Sequence, residues 1–261
     1  MREVVLFLCH FVNKEMLMRF AKLQDDLSDY CDVYWVFQTD NGSDDAELRN
    51  RGIRIFDFSF NEMKISLGYT PIVNRLIPGS LHFVTECFFH KYLDYDYYWL
   101  VEYDAVFTGN WTDLIAAFTT CDADLITSYI REYKENNEKS PWLSSLKFMS
   151  SNGEQIERYI MSFNPVCRMS NQALDFLDRF LRDSGNQGHA EILLPTILYH
   201  YGFKLVDFGG TGQFVPEGFK NRFYIQDHHP VACTNRWRPL MSKYEVESRG
   251  IIGKLFHPVK C

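Results

Sequence analysis

The chain has 261 residues, of which 46% are hydrophobic, 16% aromatic and 23% charged. These proportions exclude a disordered tail, a collagen-like rod and a small disulfide-linked scaffold, and they predict one folded domain over residues 1–261. Because 27 Lys and Arg stand against 34 Asp and Glu, the net charge is −7, which argues against a nucleic-acid partner. The segment 216–261 is nevertheless basic, which indicates either a bound anion such as phosphate or a solvated surface.

The cysteines and the amino-terminal segment indicate the cellular compartment in which the protein is expected. Seven cysteines without a C-x-x-C pattern favour neither a zinc site nor a disulfide framework, so we expect reduced thiols and a cytoplasmic protein. The alternative is a luminal catalytic fragment whose membrane anchor is absent from this chain. The apolar run in "MREVVLFLCHF" is too short for a signal peptide, and no stretch reaches membrane-spanning length. Any membrane association is therefore expected to be peripheral, and no oligomeric state is predicted.

Strand and helix patterns alternate along the first half of the chain, as in an α/β protein. Apolar runs predict strands, and apolar residues at helical spacing predict helices. The predicted elements are strand 4–8, helix 14–27, strand 33–37, strand 53–58, helix 80–92 with Ser80 as its N-cap, and strand 97–101.

The second half continues the same alternation and then becomes irregular. A polar segment at 131–153 predicts a long functional loop. The other predicted elements are helix 112–118, strand 124–129, strand 159–163, helix 171–182 capped by Ser170, helix 189–201, strand 203–208, and an irregular tail from Gly209.

Two acidic residues follow strand 97–101, the best candidate for a central strand. Glu102 and Asp104 are two residues apart, so their carboxylates are expected on one side at the carboxyl edge of the sheet. A hard divalent cation such as Mg²⁺ or Mn²⁺ would balance them, and a solvated turn is the alternative. Two literal D-x-D patterns, at 94–96 and 122–124, precede strands and so lie at the opposite end from the expected ligand site.

The segment "YYWLVEYDAVFTGNW" resembles the strand and acidic turn of GT-A glycosyltransferases, which bind a metal and a nucleotide sugar. The resemblance implies a single GT-A-like α/β domain with a mixed, mostly parallel central sheet flanked by helices. It also implies a nucleotide-sugar-binding half at 1–110 and an acceptor-binding half with the tail at 111–261. Asp104 and Glu102 would hold Mn²⁺ or Mg²⁺ on the diphosphate of a nucleoside diphosphate sugar, most simply a UDP-sugar.

"GHAEILLPTILYHYG" places Glu191 in the first turn of a predicted helix. By itself, an acid at this position is explained by the favourable helix dipole. The resemblance adds a second interpretation, because inverting GT-A enzymes carry a carboxylate base at a similar place. Glu191 would then deprotonate the hydroxyl of a glycan or glycoconjugate acceptor.

The segment "FHPVK" at residues 256–260 places His257 and Lys260 three residues apart. By the same resemblance, His257 would complete the metal site and Lys260 would neutralise the leaving diphosphate. A surface role for His257 is the alternative, and His228 and His229 are competing candidates.

The nucleotide contacts rest on fold position. Asp40 follows the second predicted strand and is expected to bind uracil or ribose, and His10 follows the first and would help to frame the base. Three tryptophans in predicted loops are candidates for stacking on a sugar: Trp111, Trp142 and Trp237.

Together these observations predict a metal-dependent glycosyltransferase that moves a sugar to an acceptor hydroxyl with inversion. A retaining enzyme of the same fold and a non-catalytic module that binds a sugar or nucleotide are the alternatives. A phosphoester or glycan hydrolase is less favoured, because the sequence lacks an H-E-x-x-H or H-x-x-E-H ligand pattern.

Overall fold

The computed structural model describes residues 1–69, 76, 79–133, 142–147, 156 and 158–260. Most of the predicted loop at 131–153 lies outside these residues. Within them, the strands are β1 (Glu3–Leu8), β2 (Asp32–Gln38), β3 (Ile55–Phe58), β4 (Tyr97–Glu102), β5 (Val106–Phe107), β6 (Leu125–Glu132), β7 (Ile160–Ser170), β8 (Leu205–Asp207), β9 (Met241–Ser242), β10 (Leu255–Phe256) and β11 (Val259–Lys260).

Seven strands form one sheet in the order β3-β2-β1-β4-β7-β6-β8. Neighbouring strands are parallel except where β7 runs antiparallel to β4 and β6. The expected α/β architecture with a mixed, mostly parallel central sheet is therefore confirmed. Because this sheet takes strands from both sides of residue 110, the two functional halves do not correspond to two sheets, and that division stays a prediction.

Helices flank the sheet. They are α1 (Lys14–Leu27), α2 (Ala46–Asn50), α3 (Phe60–Leu67), α4 (His82–Lys91), α5 (Trp111–Ala116), α6 (Asn171–Ser184), α7 (Ala190–His200) and α8 (Lys243–Ser248). Among the described residues, no helix has the length and apolar character needed to cross a bilayer. The cytoplasmic location stays a prediction.

Local signals account for the helices that the sequence predicted best. α1 has the predicted bounds, because the Asn13 side chain accepts a hydrogen bond from the backbone of Met16 and an apolar stripe faces inward. The predicted Ser170 cap of α6 is confirmed by its bond from the backbone of Ala173. The predicted Ser80 cap of α4 is wrong, since the helix begins at His82 and Leu81 precedes it without a side-chain cap.

Strand β7 is longer than predicted and includes Pro165. Proline cannot donate a ladder hydrogen bond, so a central strand normally excludes it. Here the pairing of β7 with β6 shifts register between Ile126 and Ser128, and this irregularity accommodates the missing donor. On its other side, β7 pairs Val166 with Val101, which places the residues before Val166 beside the acidic turn.

Alternate side chains of the central strands pack into separate cores on the two faces of the sheet. Leu6 and Leu100 belong to the core that contains α4, α6 and α7, whereas Phe7 and Trp99 belong to the core with α1 and α5. Both faces are therefore covered by helices, which leaves the strand ends as the accessible edge of the sheet.

The tail beyond Gly209 is more ordered than predicted. β10 pairs with β5, immediately after the acidic turn, and β11 pairs with β9. The backbone N–H of Val259 donates to the carbonyl of Asp104 at 2.9 Å. These contacts bring the last residues of the chain to the carboxyl edge of β4.

Candidate functional site

The acidic turn lies at the end of β4, the middle strand of the sheet. Glu102 is the last residue of β4, and a backbone bond from Ala105 N to its carbonyl (2.9 Å) closes the turn that carries Asp104. Asp104 is only 7% exposed. The turn is therefore not a pair of freely solvated acids.

The two literal D-x-D patterns lie at the other edge of the sheet, where they satisfy backbone donors. Asp96 accepts from Arg2 N at 2.6 Å, and Asp124 accepts from Lys204 N at 2.9 Å. Neither pattern lines the described cavity at the carboxyl edge. Strand direction thus separates the three candidates, as the sequence analysis expected.

His257 completes a cluster with the two acids. Its Nε2 lies 3.4 Å from Glu102 Oε2 and 3.3 Å from Asp104 Oδ1. One ligand atom from each of the three residues lies within 4.8 Å of the other two. Glu102, Asp104 and His257 are therefore the group of potential metal ligands found among the described residues. The competing His228 and His229 are exposed and lie outside both the cluster and the described cavity lining.

Lys260 approaches the same turn from β11. Its Nζ donates to Asp104 Oδ2 at 2.8 Å and to the Tyr103 hydroxyl at 3.2 Å. The ammonium therefore sits beside the acidic cluster, and its role toward a leaving diphosphate stays a prediction.

The charges of the cluster depend on one another. Burial alone would raise the pKa of Asp104, but hydrogen bonds and charge from His257 and Lys260 lower it to about 2. Burial alone would lower the pKa of His257, but the Asp104 and Glu102 carboxylates raise it to about 9. In this arrangement two carboxylates face an imidazolium and an ammonium.

The donor set fits a divalent cation. Two carboxylates and one imidazole, converging from a rigid strand end and a packed tail, combine hard oxygen ligands with a nitrogen that suits Mn²⁺ better than Mg²⁺. Arg236 O lies 3.4 Å from the other ring nitrogen, Nδ1 of His257, which orients the ring. Glu102, Asp104 and His257 are the residues that could hold the cation.

Glu191 lies in the first turn of α7, whose N-cap is His189. One carboxylate oxygen accepts from the backbone N–H of Asn164 at 3.3 Å. Burial, together with the charge of Glu102, raises the pKa of Glu191 to about 8 against the opposing effect of that hydrogen bond. A carboxyl group with a pKa close to neutral can exchange a proton with a reacting hydroxyl.

The cluster and Glu191 line one cavity of about 480 Å³, a volume typical of small-molecule sites. His10, a predicted nucleotide contact, also lines it. Asp40 does not, because its carboxylate accepts from the backbone of Phe60 and from Gln38 Nε2. The neighbours Gln38 and Asn41 line the cavity at this strand end instead. The role of Asp40 in nucleotide binding stays a prediction.

A row of aromatic side chains joins the cluster to the helix of Glu191. Ring centroids follow one another from His257 to Phe163 (5.1 Å), Trp237 (6.5 Å), Trp142 (5.2 Å) and His189 (4.0 Å), with the last pair stacked. We name this set the aromatic wall. Its middle member, Trp237, is 50% exposed and lines the cavity.

The three candidate tryptophans therefore occupy different environments. Trp111 is buried in the core at the start of α5 and is not a sugar platform. Trp142 covers His189, and Trp237 presents its ring to the cavity together with the adjacent Arg238. Trp142 and Trp237 were expected as stacking candidates because they lie in predicted loops, whereas no sequence pattern indicated that Phe163, His189 and His257 continue the same wall.

No protein-family model and no curated protein matches the sequence. Among solved structures, the chain is similar to a protein of Bacillus anthracis described as a glucose-1-phosphate thymidylyltransferase, at 9% identity and a TM-score of 0.46, covering 81% of this chain and 87% of that one. It is also similar to the glycosyltransferase GlyE of Streptococcus pneumoniae, at 13% identity and a TM-score of 0.39, covering 79% of this chain and 45% of that one.

A third similar structure is glucosyl-3-phosphoglycerate synthase of Mycobacterium tuberculosis, solved with Mn²⁺, UDP-glucose and phosphoglyceric acid. The identity is 16% and the TM-score 0.31, with 49% of this chain and 43% of that one covered. This chain thus spans less than half the length of the two glycosyltransferases. These three similar structures are nucleotidyl- and glycosyltransferases.

Proposed function

We propose that the protein is a metal-dependent glycosyltransferase that moves a sugar from a nucleoside diphosphate sugar, most simply a UDP-sugar, to a hydroxyl of a glycan or glycoconjugate acceptor with inversion. One observation carries the proposal: a potential metal cluster and a carboxyl group with a raised pKa line the same cavity at the carboxyl edge of the sheet. A donor diphosphate and an acceptor hydroxyl could therefore be held side by side.

The donor would occupy the side of the cavity formed by β1, β2 and β4. Gln38, Asn41 and His10 offer hydrogen-bonding groups for a base or ribose at the ends of β1 and β2. When bound at Glu102, Asp104 and His257, a divalent cation supplies charge neutralisation for the diphosphate. Lys260 would add a second positive charge to the leaving group.

Glu191 would act as the general base. Its ionised carboxylate takes the proton of the acceptor hydroxyl as the oxygen forms a bond to the anomeric carbon. The bond from that carbon to the diphosphate breaks with its electron pair, so the nucleoside diphosphate leaves. Because this is one displacement from the opposite face, the anomeric configuration inverts.

The acceptor would lie along the aromatic wall. The half-exposed ring of Trp237 offers an apolar face on which the C–H face of a sugar can pack. Arg238 beside it has no ion pair with any described residue and can donate to acceptor oxygens. The wall ends at His189, next to the proposed base, which directs the acceptor toward Glu191.

The test is a panel of nucleotide sugars, screened first by thermal shift with and without Mn²⁺. The donor that stabilises the protein is then incubated with candidate acceptors, and the product configuration is measured by NMR. Mn²⁺-dependent binding followed by transfer with inversion supports the proposal. Retention of configuration assigns Glu191 a non-basic role, and binding without turnover in the presence of acceptors favours a non-catalytic module.

A further inference from the structure

A second, smaller cavity adjoins the main one and has a volume of about 30 Å³. We call it the rear chamber. Its lining shares Gly79, Leu81, Glu102 and Glu191 with the main cavity. Since a single water molecule needs roughly 10–15 Å³ of such volume, the rear chamber is large enough for one water and too small for a substrate.

His82, the first residue of α4, lines the rear chamber. Its side chain is buried, with 3% of the residue exposed, and neither ring nitrogen has a hydrogen-bond partner among the described residues. Buried polar groups in folded proteins are almost always hydrogen-bonded to protein or to ordered water. The two unpartnered ring nitrogens of His82 therefore indicate that the rear chamber holds a ligand.

The rear chamber offers further polar partners to such a ligand. Glu191 and Glu102 contribute carboxylates, and Asn164 contributes its amide. The amide oxygen of Asn164 accepts from the Ser162 hydroxyl at 2.7 Å, which leaves the amide N–H groups of Asn164 as the donors that a water could use. Two to four polar partners of mixed donor and acceptor character are what a buried water requires.

We propose that the rear chamber binds one water molecule between His82 and Glu191, and that His82 is thereby a positioning residue for the proposed base. This inference rests on the proposed function for its catalytic consequence. A neutral imidazole has one N–H donor and one acceptor nitrogen, so His82 can donate to the water while the water donates to the Glu191 carboxylate. No covalent bond changes in this arrangement.

The water would support the form of Glu191 that accepts a proton. A hydrogen bond donated to a carboxylate favours its ionised state and lowers its pKa. The other titratable or charged groups that act on Glu191 are Glu102, His257, Arg131 and His189. Burial lowers the pKa of His82 itself to about 3, with His189 adding to the shift, so the His82 ring stays neutral throughout the working pH range and serves as a constant donor.

The test compares His82→Phe, which removes both ring nitrogens, with His82→Gln, which retains a donor and an acceptor. His90→Gln is the matched control, because His90 lies on the same helix and contacts Ser66 and Asp178 away from the rear chamber. For His82→Phe we expect kcat to fall about 10-fold at neutral pH with donor KM unchanged, and the acidic limb of the kcat profile to move up by about one pH unit. His82→Gln should retain activity within a few-fold of the parent.

Two measurements do not depend on turnover. A high-resolution crystal structure of the parent protein should show a water within hydrogen-bond distance of His82 and Glu191. Titration of the Glu191 carboxyl carbon by ¹³C NMR, assigned with Glu191→Gln, should give a higher pKa in His82→Phe than in the parent. A dry chamber, or a folded His82→Phe protein with an unchanged Glu191 titration, overturns the inference. If the water and the titration shift are found but no donor is turned over, the water site stands and the proposed function fails.

Discussion

His257 Nε2 lies 3.3 Å from Asp104 Oδ1, which joins the end of the chain to the turn after the middle strand of the sheet. The contact is built into the backbone, because β10 pairs with β5 and Val259 N donates to Asp104 O. A truncation before His257 would therefore also remove Val259, whose buried side chain packs beside Phe256. Single substitutions are the better probes of this site.

Asp104→Asn should weaken Mn²⁺-dependent donor binding by about 10-fold to 100-fold, because it removes a charged ligand while keeping the side-chain shape. The control is Asp122→Asn, which changes an exposed residue of a literal D-x-D pattern outside the cavity. Calorimetry with the donor, with and without Mn²⁺, measures the effect. If the two variants bind the donor equally well in the presence of Mn²⁺, Asp104 is not a ligand of the metal.

Mn²⁺ affinity should rise with pH. A metal ligand must be an unprotonated imidazole, whereas the neighbouring carboxylates hold the pKa of His257 at about 9. Binding therefore displaces a proton below that pH, and the affinity should increase by up to about tenfold per pH unit between pH 6 and 8. His257→Gln should bind more weakly and with a flatter pH dependence. An equally steep dependence in His257→Gln would assign the displaced proton to another group.

Glu191→Gln should lower kcat by about 10²–10⁴ with donor affinity nearly unchanged, because it preserves shape but cannot accept a proton. The parent enzyme should lose activity as the pH falls below about 8, where Glu191 becomes protonated. Steady-state kinetics and donor calorimetry measure the two effects. If kcat stays within a few-fold of the parent, Glu191 is only a first-turn residue of α7. The retaining mechanism then explains the protein better than the inverting one.

Trp237→Ala should raise the acceptor KM by about 3-fold to 10-fold with donor affinity unchanged, because the variant removes a stacking face. Tyr244→Ala is the control, since Tyr244 is 79% exposed and lies outside the described lining of the cavity. Initial rates over a range of acceptor concentrations separate the two variants. An acceptor KM that changes equally in both would exclude a specific role for the aromatic wall.

The free energy of unfolding should fall less between pH 5 and pH 8 in Glu86→Gln than in the parent protein. Glu86 is fully buried, and burial raises its pKa to about 8 against the opposing hydrogen bond from Tyr69. Because the folded pKa exceeds the unfolded one, the contribution of protonated Glu86 is complete below about pH 4.5 and is lost as the pH rises toward 8. The difference is on the order of a few kcal/mol, and denaturant unfolding at both pH values measures it. If the free energies of unfolding of the parent and the variant change with pH in parallel, Glu86 ionises normally.

The sequence by itself determined the elements whose signals are local. The bounds of α1 follow from its apolar stripe, and the position of Glu102 and Asp104 after an apolar strand follows from their order along the chain. Glu191 was expected at a helix start for the same kind of reason, because a first-turn acid and the preceding glycines are adjacent in sequence. Such signals act within one or two turns or one strand, where periodicity and capping apply.

Only the tertiary structure decided which of these residues meet. His257 joins Asp104 through pairing of the tail with β5, and no periodic pattern in the tail indicated that short pairing. The Asp40 carboxylate accepts from the backbone of Phe60, and Gln38 and Asn41 line the cavity instead, although all three residues lie at the end of the same strand.

The aromatic wall and the rear chamber are assembled from segments far apart in the chain. The aromatic wall forms where β7, α7 and the tail pack at one edge of the sheet. The rear chamber forms because His82 at the start of α4 and Glu191 in the first turn of α7 line the same small cavity. The physical reason is that these contacts depend on how the helices pack on the two faces of the sheet and on which strand ends meet at its edge. A linear pattern of residue types carries the propensity of each segment but not the distance between segments.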